Sequence, residues 1–170
     1  AGVLLGVVSF DILPELFALA GEHALDPGHA MIALVVGFLL FHSAEKLTLI
    51  HHAQEDQYAE HHHPQVGLMS ALALVGHSFM DGVGIGLGFQ VSNAIGVAVA
   101  VAVIAHDFAD GLNTMSLMLA HNNTTRRALL LLALDALAPL VGALSTLFFR
   151  LPAGVLSLYL GFFAGFLLYI

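Results

Sequence analysis

Apolar residues fill six stretches of the chain, and short polar breaks separate them. The stretches cover roughly residues 1–20, 30–50, 66–90, 93–120, 127–149 and 153–170. Each is close to the roughly 20 residues that an α-helix needs to cross a bilayer. Strands are not expected, because an open sheet leaves unpaired edges in lipid and a barrel uses shorter, alternating segments. The pattern predicts an all-α, polytopic transmembrane helical bundle, with six spanning helices in one transmembrane domain, residues 1–170.

The longest polar break, residues 51–64, is rich in histidine and too charged to cross a membrane. We predict that it faces the cytoplasm, because Lys46, Arg126 and Arg127 flank the breaks on its side of the membrane. On the other side there is Arg150 alone. This His-rich cytoplasmic loop either binds metal loosely or is a solvated connection, and the sequence leaves both interpretations open.

The composition agrees with a membrane protein and limits which partners and which metal-binding atoms are available. Charged residues make up 9% of the chain, against about 25% in a soluble domain. With 4 Lys and Arg against 12 Asp and Glu, the charge argues against a nucleic-acid partner. There is no Cys but there are 11 His, so nitrogen and oxygen donors would have to hold any metal. The chain lacks an initiating Met and both ends lie in apolar sequence, so we expect a piece of a longer protein.

One motif, His-x-Phe-x-Asp-Gly, occurs twice, beginning at His77 in the third stretch and at His106 in the fourth. In each copy the aspartate, Asp81 or Asp110, lies four residues after the histidine, which puts both side chains on one helix face. The two stretches are joined by a very short break and are therefore antiparallel neighbours. Both motifs lie near the middle of their stretches, so we expect the four side chains to converge near the bilayer midplane.

Acidic side chains in the middle of a membrane need compensation. Asp81, Asp107 and Asp110 each cost about 2.5 to 3.5 kcal/mol at the centre of a spanning helix. A divalent cation would offset this cost, and imidazole with carboxylate suits zinc, ferrous iron, manganese, cobalt or nickel better than calcium or cuprous copper. Asp107 would serve a second ion or orient the ligands. The competing interpretation is a set of His–Asp hydrogen bonds that fix helix packing, or a proton relay without metal.

Two further features bear on the site. Pro139 has no amide hydrogen, so it frees the carbonyl oxygen of Asp135, and this residue is either a ligand or an acid beside a proline kink. Glycines at every second position from Gly82 to Gly88 give small-residue pairs that let another helix approach closely. We expect packing to be their role.

With these motifs the chain resembles the Zrt- and Irt-like (ZIP) metal transporters of bacterial type. The fourth and fifth helices of that family carry His-Asn-x-x-[Asp/Glu]-Gly and His-[Glu/Asp/Asn]-x-x-[His/Glu] motifs. The sequence 13–15 (Leu-Pro-Glu), the His-rich break and the sequence 138–140 (Ala-Pro-Leu) follow in family order, so the resemblance covers nearly all of the chain. It implies eight spanning helices, of which the second to the seventh would be present here.

The resemblance also implies two adjoining metal sites. The primary transport site would consist of His77, Asp81, His106 and Asp110. The second would consist of Ser78, Asp107 and an acid of the fifth stretch. Ser78 stands where the family often has Asn, and Ala138 stands where an acid often precedes the proline, so Asp135 would take the place of that acid.

From these residues we expect transport of divalent transition-metal ions into the cytoplasm, and no enzyme activity. Zinc is the first choice, with iron or manganese as alternatives, and the ion is a substrate rather than a cofactor. The expected partners are the metal ions and the lipid of a bacterial inner (plasma) membrane, and a homodimer is left open. An intramembrane metal-dependent hydrolase, with Asp107 activating a zinc-bound water, is the alternative function. A metal sensor or structural subunit would bind metal without flux.

Overall fold

The computed structural model describes residues 2–56 and 64–169, the side chains of 44, 45 and 47–56 excepted, and this part of the chain is helical without strands. Six helices follow one another. They are α1 (Gly2–Glu22), α2 (Pro27–Asp56), α3 (Pro64–Val91), α4 (Asn93–Ala120), α5 (Thr125–Ser145) and α6 (Ala153–Tyr169). A 3₁₀ turn, Thr146–Phe148, extends α5. The predicted all-α class is confirmed.

Four of these helices are long and apolar enough to cross a membrane: Gly2–Glu22, Pro64–Val91, Asn93–Ala120 and Thr125–Phe148. The other two contribute shorter apolar segments, Pro27–Ser43 and Ala153–Tyr169. The chain is thus a membrane protein by the length and composition of its helices. The prediction of six spanning helices goes beyond these four and stays a prediction.

One predicted boundary is wrong. The apolar pattern predicts that the second helix ends at residue 50, but α2 continues to Asp56, so the first six residues of the His-rich break are helical. Polar residues extend a helix readily once it is nucleated, because each added residue contributes a further backbone hydrogen bond. Residues 57–63 of that break lie outside the described residues, and the break stays a predicted cytoplasmic loop.

Polar side chains fix where helices begin and how they are joined. Thr124 has an extended backbone and its hydroxyl accepts from the Arg127 amide, which caps the start of α5. In the turn before it, the Asn123 side chain donates to the Pro64 carbonyl at 2.9 Å and ties the end of α4 to the start of α3. Ser92, the one residue between α3 and α4, accepts from the Ile95 amide at 3.2 Å.

The first helix contains an irregular turn that the sequence did not predict. Residues Val8–Ile12 form a π-helical segment, and the Leu13 amide donates to the Val8 carbonyl. Pro14 follows, and its ring would collide with a carbonyl one turn earlier in a regular α-helix. The wider turn accommodates the proline, so the helix continues to Glu22 without a break.

The chain folds into two compact units. The first comprises residues 1–58, 87–102 and 150–170. Within it α2 and α6 approach each other through their backbones, since a Cβ added to Gly161 or Gly165 would collide with the carbonyl of Ala30 or Leu34. Small residues thus bring these two helices together. The predicted single transmembrane domain stays a prediction.

The second unit comprises residues 59–86 and 103–149. Here α3 and α5 touch through their backbones, because a Cβ added to Gly82 would collide with the Pro139 carbonyl and one added to Gly142 with the Phe79 carbonyl. The expected packing role of Gly82 is confirmed. A small apolar core, Ala71, Met118, Ala128 and Leu131, closes one end of the unit.

Candidate metal centre

The two predicted motifs meet within the second unit, where α3 and α4 bring both histidines to one carboxylate. The Asp81 Oδ2 atom lies 3.3 Å from the His77 Nε2 atom and 3.4 Å from the His106 Nε2 atom. Asp81 is 0% exposed. Donor atoms that surround a tetrahedral zinc ion at about 2.0–2.1 Å are themselves roughly 3.3 Å apart. Both distances to Asp81 Oδ2 therefore match the spacing of ligands to a single ion.

Asp110 completes the group of four side chains. Its Oδ2 atom lies 3.7 Å from His77 Nε2 and 3.9 Å from His106 Nε2. Each histidine is thus close to the aspartate of the other motif, and the expected convergence of the four side chains is present. The structure brings the four side chains together, and their role as metal ligands stays a prediction.

Asp107 lies at the edge of the same group. Its Oδ1 atom is 3.9 Å from His106 Nε2, and its side chain is 30% exposed. Among the described residues, two overlapping sets could hold a metal ion: His77 with Asp81 and His106, and His106 with Asp107 and Asp110. His106 belongs to both sets, and its Nε2 atom has one lone pair for one ion, so the two sets describe alternative or merged positions of a single ion with three to five donors.

The acidic oxygens of this centre are buried without hydrogen bonds. Among the described residues, no group donates to either oxygen of Asp81, to Asp107 Oδ1 or to Asp110 Oδ2. A buried carboxylate without compensation costs several kcal/mol. The 4 Lys and Arg of the chain are all exposed and supply no buried positive charge. A cation bound between the carboxylates would supply it, and the donor set fits a divalent transition metal.

Asp135 and Ser78, the remaining predicted ligands, contact each other rather than the histidines. The Ser78 hydroxyl donates to Asp135 Oδ1 at 2.7 Å, and the Thr114 hydroxyl donates to Asp135 Oδ2 at 3.0 Å. All three side chains are buried. Neither Ser78 nor Asp135 belongs to the two potential metal sets. Their participation in a second metal site stays a prediction.

Thr114 is the residue that the sequence reasoning missed. It lies four residues after Asp110 and eight after His106, so the three share one face of α4. This spacing is the sequence signal that could have identified Thr114 as a neighbour of the site. A threonine in an apolar helix is most often a residue that bonds its own backbone, however, and only the position of α5 reveals its partner.

Comparison of the chain with protein-family models, with curated proteins and with solved structures finds no match. The resemblance to the ZIP transporters therefore stays an expectation drawn from the motifs.

Proposed function

We propose that the protein transports divalent transition-metal ions across a membrane, and that the His/Asp centre of α3 and α4 is the transport site. One observation carries the proposal: Asp81 is buried, accepts no hydrogen bond from the described residues, and has imidazole nitrogens of two helices within 3.4 Å. Such a carboxylate is stabilised by a cation that the two imidazoles also bind.

Zinc is the proposed first substrate, and iron or manganese are its competitors. Two imidazoles and two or three carboxylates suit zinc and ferrous iron, whereas manganese prefers more oxygen donors. The direction is uptake into the cytoplasm, across the inner membrane of a bacterium, by a chain with six of the eight helices of the ZIP architecture. The direction of transport, the membrane and the number of helices are inferred from the resemblance of the motifs to those of the ZIP transporters.

A transport site needs donors that bind an ion and then release it. His77 and Asp110 side chains are 20% and 15% exposed, whereas Asp81 is fully buried. The centre thus has a buried side and a more accessible side within one unit. This gradient supports a path by which a partly hydrated ion exchanges water for protein ligands, which a closed structural site does not need.

A metal-dependent hydrolase is the second candidate, and the exposure of Asp107 favours it. At 30% exposure this carboxylate is the most accessible acid of the centre, so it is the acid best placed to take a proton from a metal-bound water and pass it to solvent. The hydrolase requires a coordination position open to substrate. Bound metal and hydrolysis of a lipid or peptide, with no flux, would favour this candidate over the transporter.

The direct test is uptake of radioactive zinc, iron and manganese into proteoliposomes that hold the full protein. We expect the wild type to accumulate zinc, and His77→Ala and Asp110→Ala to reduce the initial rate by at least about 100-fold, because each removes a ligand. His29→Ala, a substitution of an exposed histidine at the start of α2, is the matched control and should transport normally. Equal flux in all four proteins would refute the transport site.

A further inference from the structure

A cleft at the start of α5 combines two positive charges with an apolar wall. Six exposed residues of the second unit line it: Thr124, Arg126, Arg127, Leu129, Leu130 and Ala133. Its volume of about 680 Å³ lies within the range of roughly 300–1,000 Å³ that is usual for small-molecule sites. No side chain of the His/Asp centre lines this cleft, so its chemistry is separate from that of the metal site.

The two arginines are poorly placed for the stability of their own helix. Arg126 and Arg127 lie in the first turn of α5, which contains no acidic residue. The positive end of the helix dipole lies there, so basic side chains in this turn are unfavourable. Among the described residues, every ion pair joins a histidine to an aspartate, and none involves these arginines. The bias of basic residues toward the cytoplasm accounts for the side of the membrane but not for this turn. An anionic ligand would account for both.

Next to the arginines the wall of the cleft is apolar and faces outward. Leu129 and Leu130 are 53% and 59% exposed. Leu130 and Ala133 follow Arg126 by four and seven residues, so the three share one face of α5. Leu137, which is 54% exposed, continues this face. From Arg126 to Leu137 the helix rises about 16 Å, or roughly half of the hydrocarbon thickness of a bilayer. The exposed face therefore matches the length of an acyl chain in one leaflet.

We propose that this cleft binds one anionic phospholipid per chain, with its phosphate at Arg126 and Arg127 and one acyl chain along the face that begins at Leu130. Guanidinium groups bind phosphate oxygens through paired hydrogen bonds, which a single ammonium group does not reproduce. Arginines directly beside an apolar helical segment are the arrangement that attracts anionic lipid. Phosphatidylglycerol has the required chemistry, because its phosphate carries a net negative charge.

Other occupants match only part of the cleft. A zwitterionic lipid has the same phosphate, but its ammonium group cancels the charge that the arginines attract. A free phosphate ion or an acidic protein would contact the arginines from the water and leave the apolar wall unused. The wall adds little affinity by itself, because lipid tails are as apolar as leucine side chains. Selectivity therefore has to come from the arginines, and the wall determines where the chain of the bound lipid lies.

A bound phosphate would also stabilise the start of α5. Both arginines and the helix dipole are positive at this end, so a phosphate beside them reduces their mutual repulsion. The Thr124 hydroxyl, which accepts from the Arg127 amide at 3.4 Å, caps the same turn but carries no charge. Phosphatidylglycerol should therefore raise the unfolding temperature of the protein more than phosphatidylcholine does. This inference requires no metal ion, so it is independent of the proposed transport.

The test measures binding of the first lipid to the full protein in detergent by native mass spectrometry. We expect phosphatidylglycerol to bind roughly 25-fold more tightly than phosphatidylcholine, because each basic side chain near the membrane surface contributes about fivefold. The double variant Arg126→Gln, Arg127→Gln should reduce this preference to less than about twofold. Arg150→Gln, which changes an exposed arginine of the first unit, is the matched control and should keep the preference.

A substitution in the wall distinguishes a lipid in the cleft from general attraction to charge. Ala133→Phe fills the cleft and keeps both arginines, so it should weaken binding of phosphatidylglycerol, whereas Ala136→Phe changes an exposed alanine outside the cleft and should not. Equal effects of these two variants, or a preference that survives loss of both arginines, would overturn the inference. It would be overturned equally if inorganic phosphate raised the unfolding temperature as much as phosphatidylglycerol, because the cleft would then be a site for a free anion.

Discussion

The His/Asp centre and the group formed by Asp135, Ser78 and Thr114 contain similarly buried carboxylates that differ in their contacts. No described residue donates a hydrogen bond to either oxygen of Asp81, whereas each oxygen of Asp135 accepts one from a hydroxyl. A carboxylate without donors is the more costly to bury, and it binds a cation the more strongly for that reason. Hydrogen bonding thus distinguishes two buried acids of the same unit: two hydroxyls stabilise Asp135, whereas no described donor stabilises Asp81.

The largest expected effect concerns zinc binding at the His/Asp centre. Asp81→Asn removes the charge that both imidazoles approach, and we expect zinc affinity to fall at least about 100-fold, measured by equilibrium dialysis. The metal-free protein should unfold at the same or a higher temperature, because an uncompensated buried charge is lost. Asn113→Ala, on an exposed position of α4, is the control. Unchanged zinc affinity would contradict the assignment of Asp81 as the central ligand.

A smaller effect concerns the backbone contact between α3 and α5, which keeps Asp135 within reach of Ser78. Gly82→Ala adds a Cβ that collides with the Pro139 carbonyl, so α3 and α5 must separate. We expect a loss of about 1–3 kcal/mol in the free energy of unfolding, as for other overpacked positions, measured by denaturation in detergent.

The control for this prediction lies six residues earlier. Gly76→Ala meets nothing within 4 Å of the added Cβ and should stabilise α3 by about 0.5–1 kcal/mol, because alanine favours helix more than glycine does. Equal effects of the two substitutions would mean that the contact between α3 and α5 does not constrain the unit.

The smallest expected effect concerns the contribution of a hydroxyl partner of Asp135 to zinc affinity. Thr114→Val should change zinc affinity by less than about threefold, because its hydroxyl donates to Asp135. A residue that orients zinc ligands would lower the affinity by roughly 10- to 100-fold when removed. Titration of the purified variant with zinc measures this difference, and a loss of the larger size would assign Asp135 and its two hydroxyl partners to the zinc site.

Much of the fold followed from the sequence because apolar stretches near 20 residues leave few choices in a membrane. The convergence of His77, Asp81, His106 and Asp110 followed from a repeated motif on antiparallel neighbours. Both inferences use only the number of residues between positions, which can be read directly from the sequence.

The features that were missed depend on contacts between distant helices or on backbone detail. The bond of Thr114 to Asp135 requires α5 to face α3 and α4 at one depth, which no local spacing specifies. The π-helical turn before Pro14 was missed because a proline in a helix predicts a break as readily as a wider turn. The extension of α2 to Asp56 was missed because a charged segment ends an apolar stretch without necessarily ending the helix.

The contact of Gly82 with Pro139 has a consequence for protein engineering. A designer who transfers this His/Asp centre to another helical bundle would naturally copy its histidines and aspartates. The glycine that follows Asp81 has to be copied too, together with a facing backbone free of side-chain bulk, because the contact fixes how closely the two helices approach. Without it, α5 would stand too far from α3 for Asp135 to accept the hydrogen bond of Ser78, and the polar contacts beside the grafted centre would be lost.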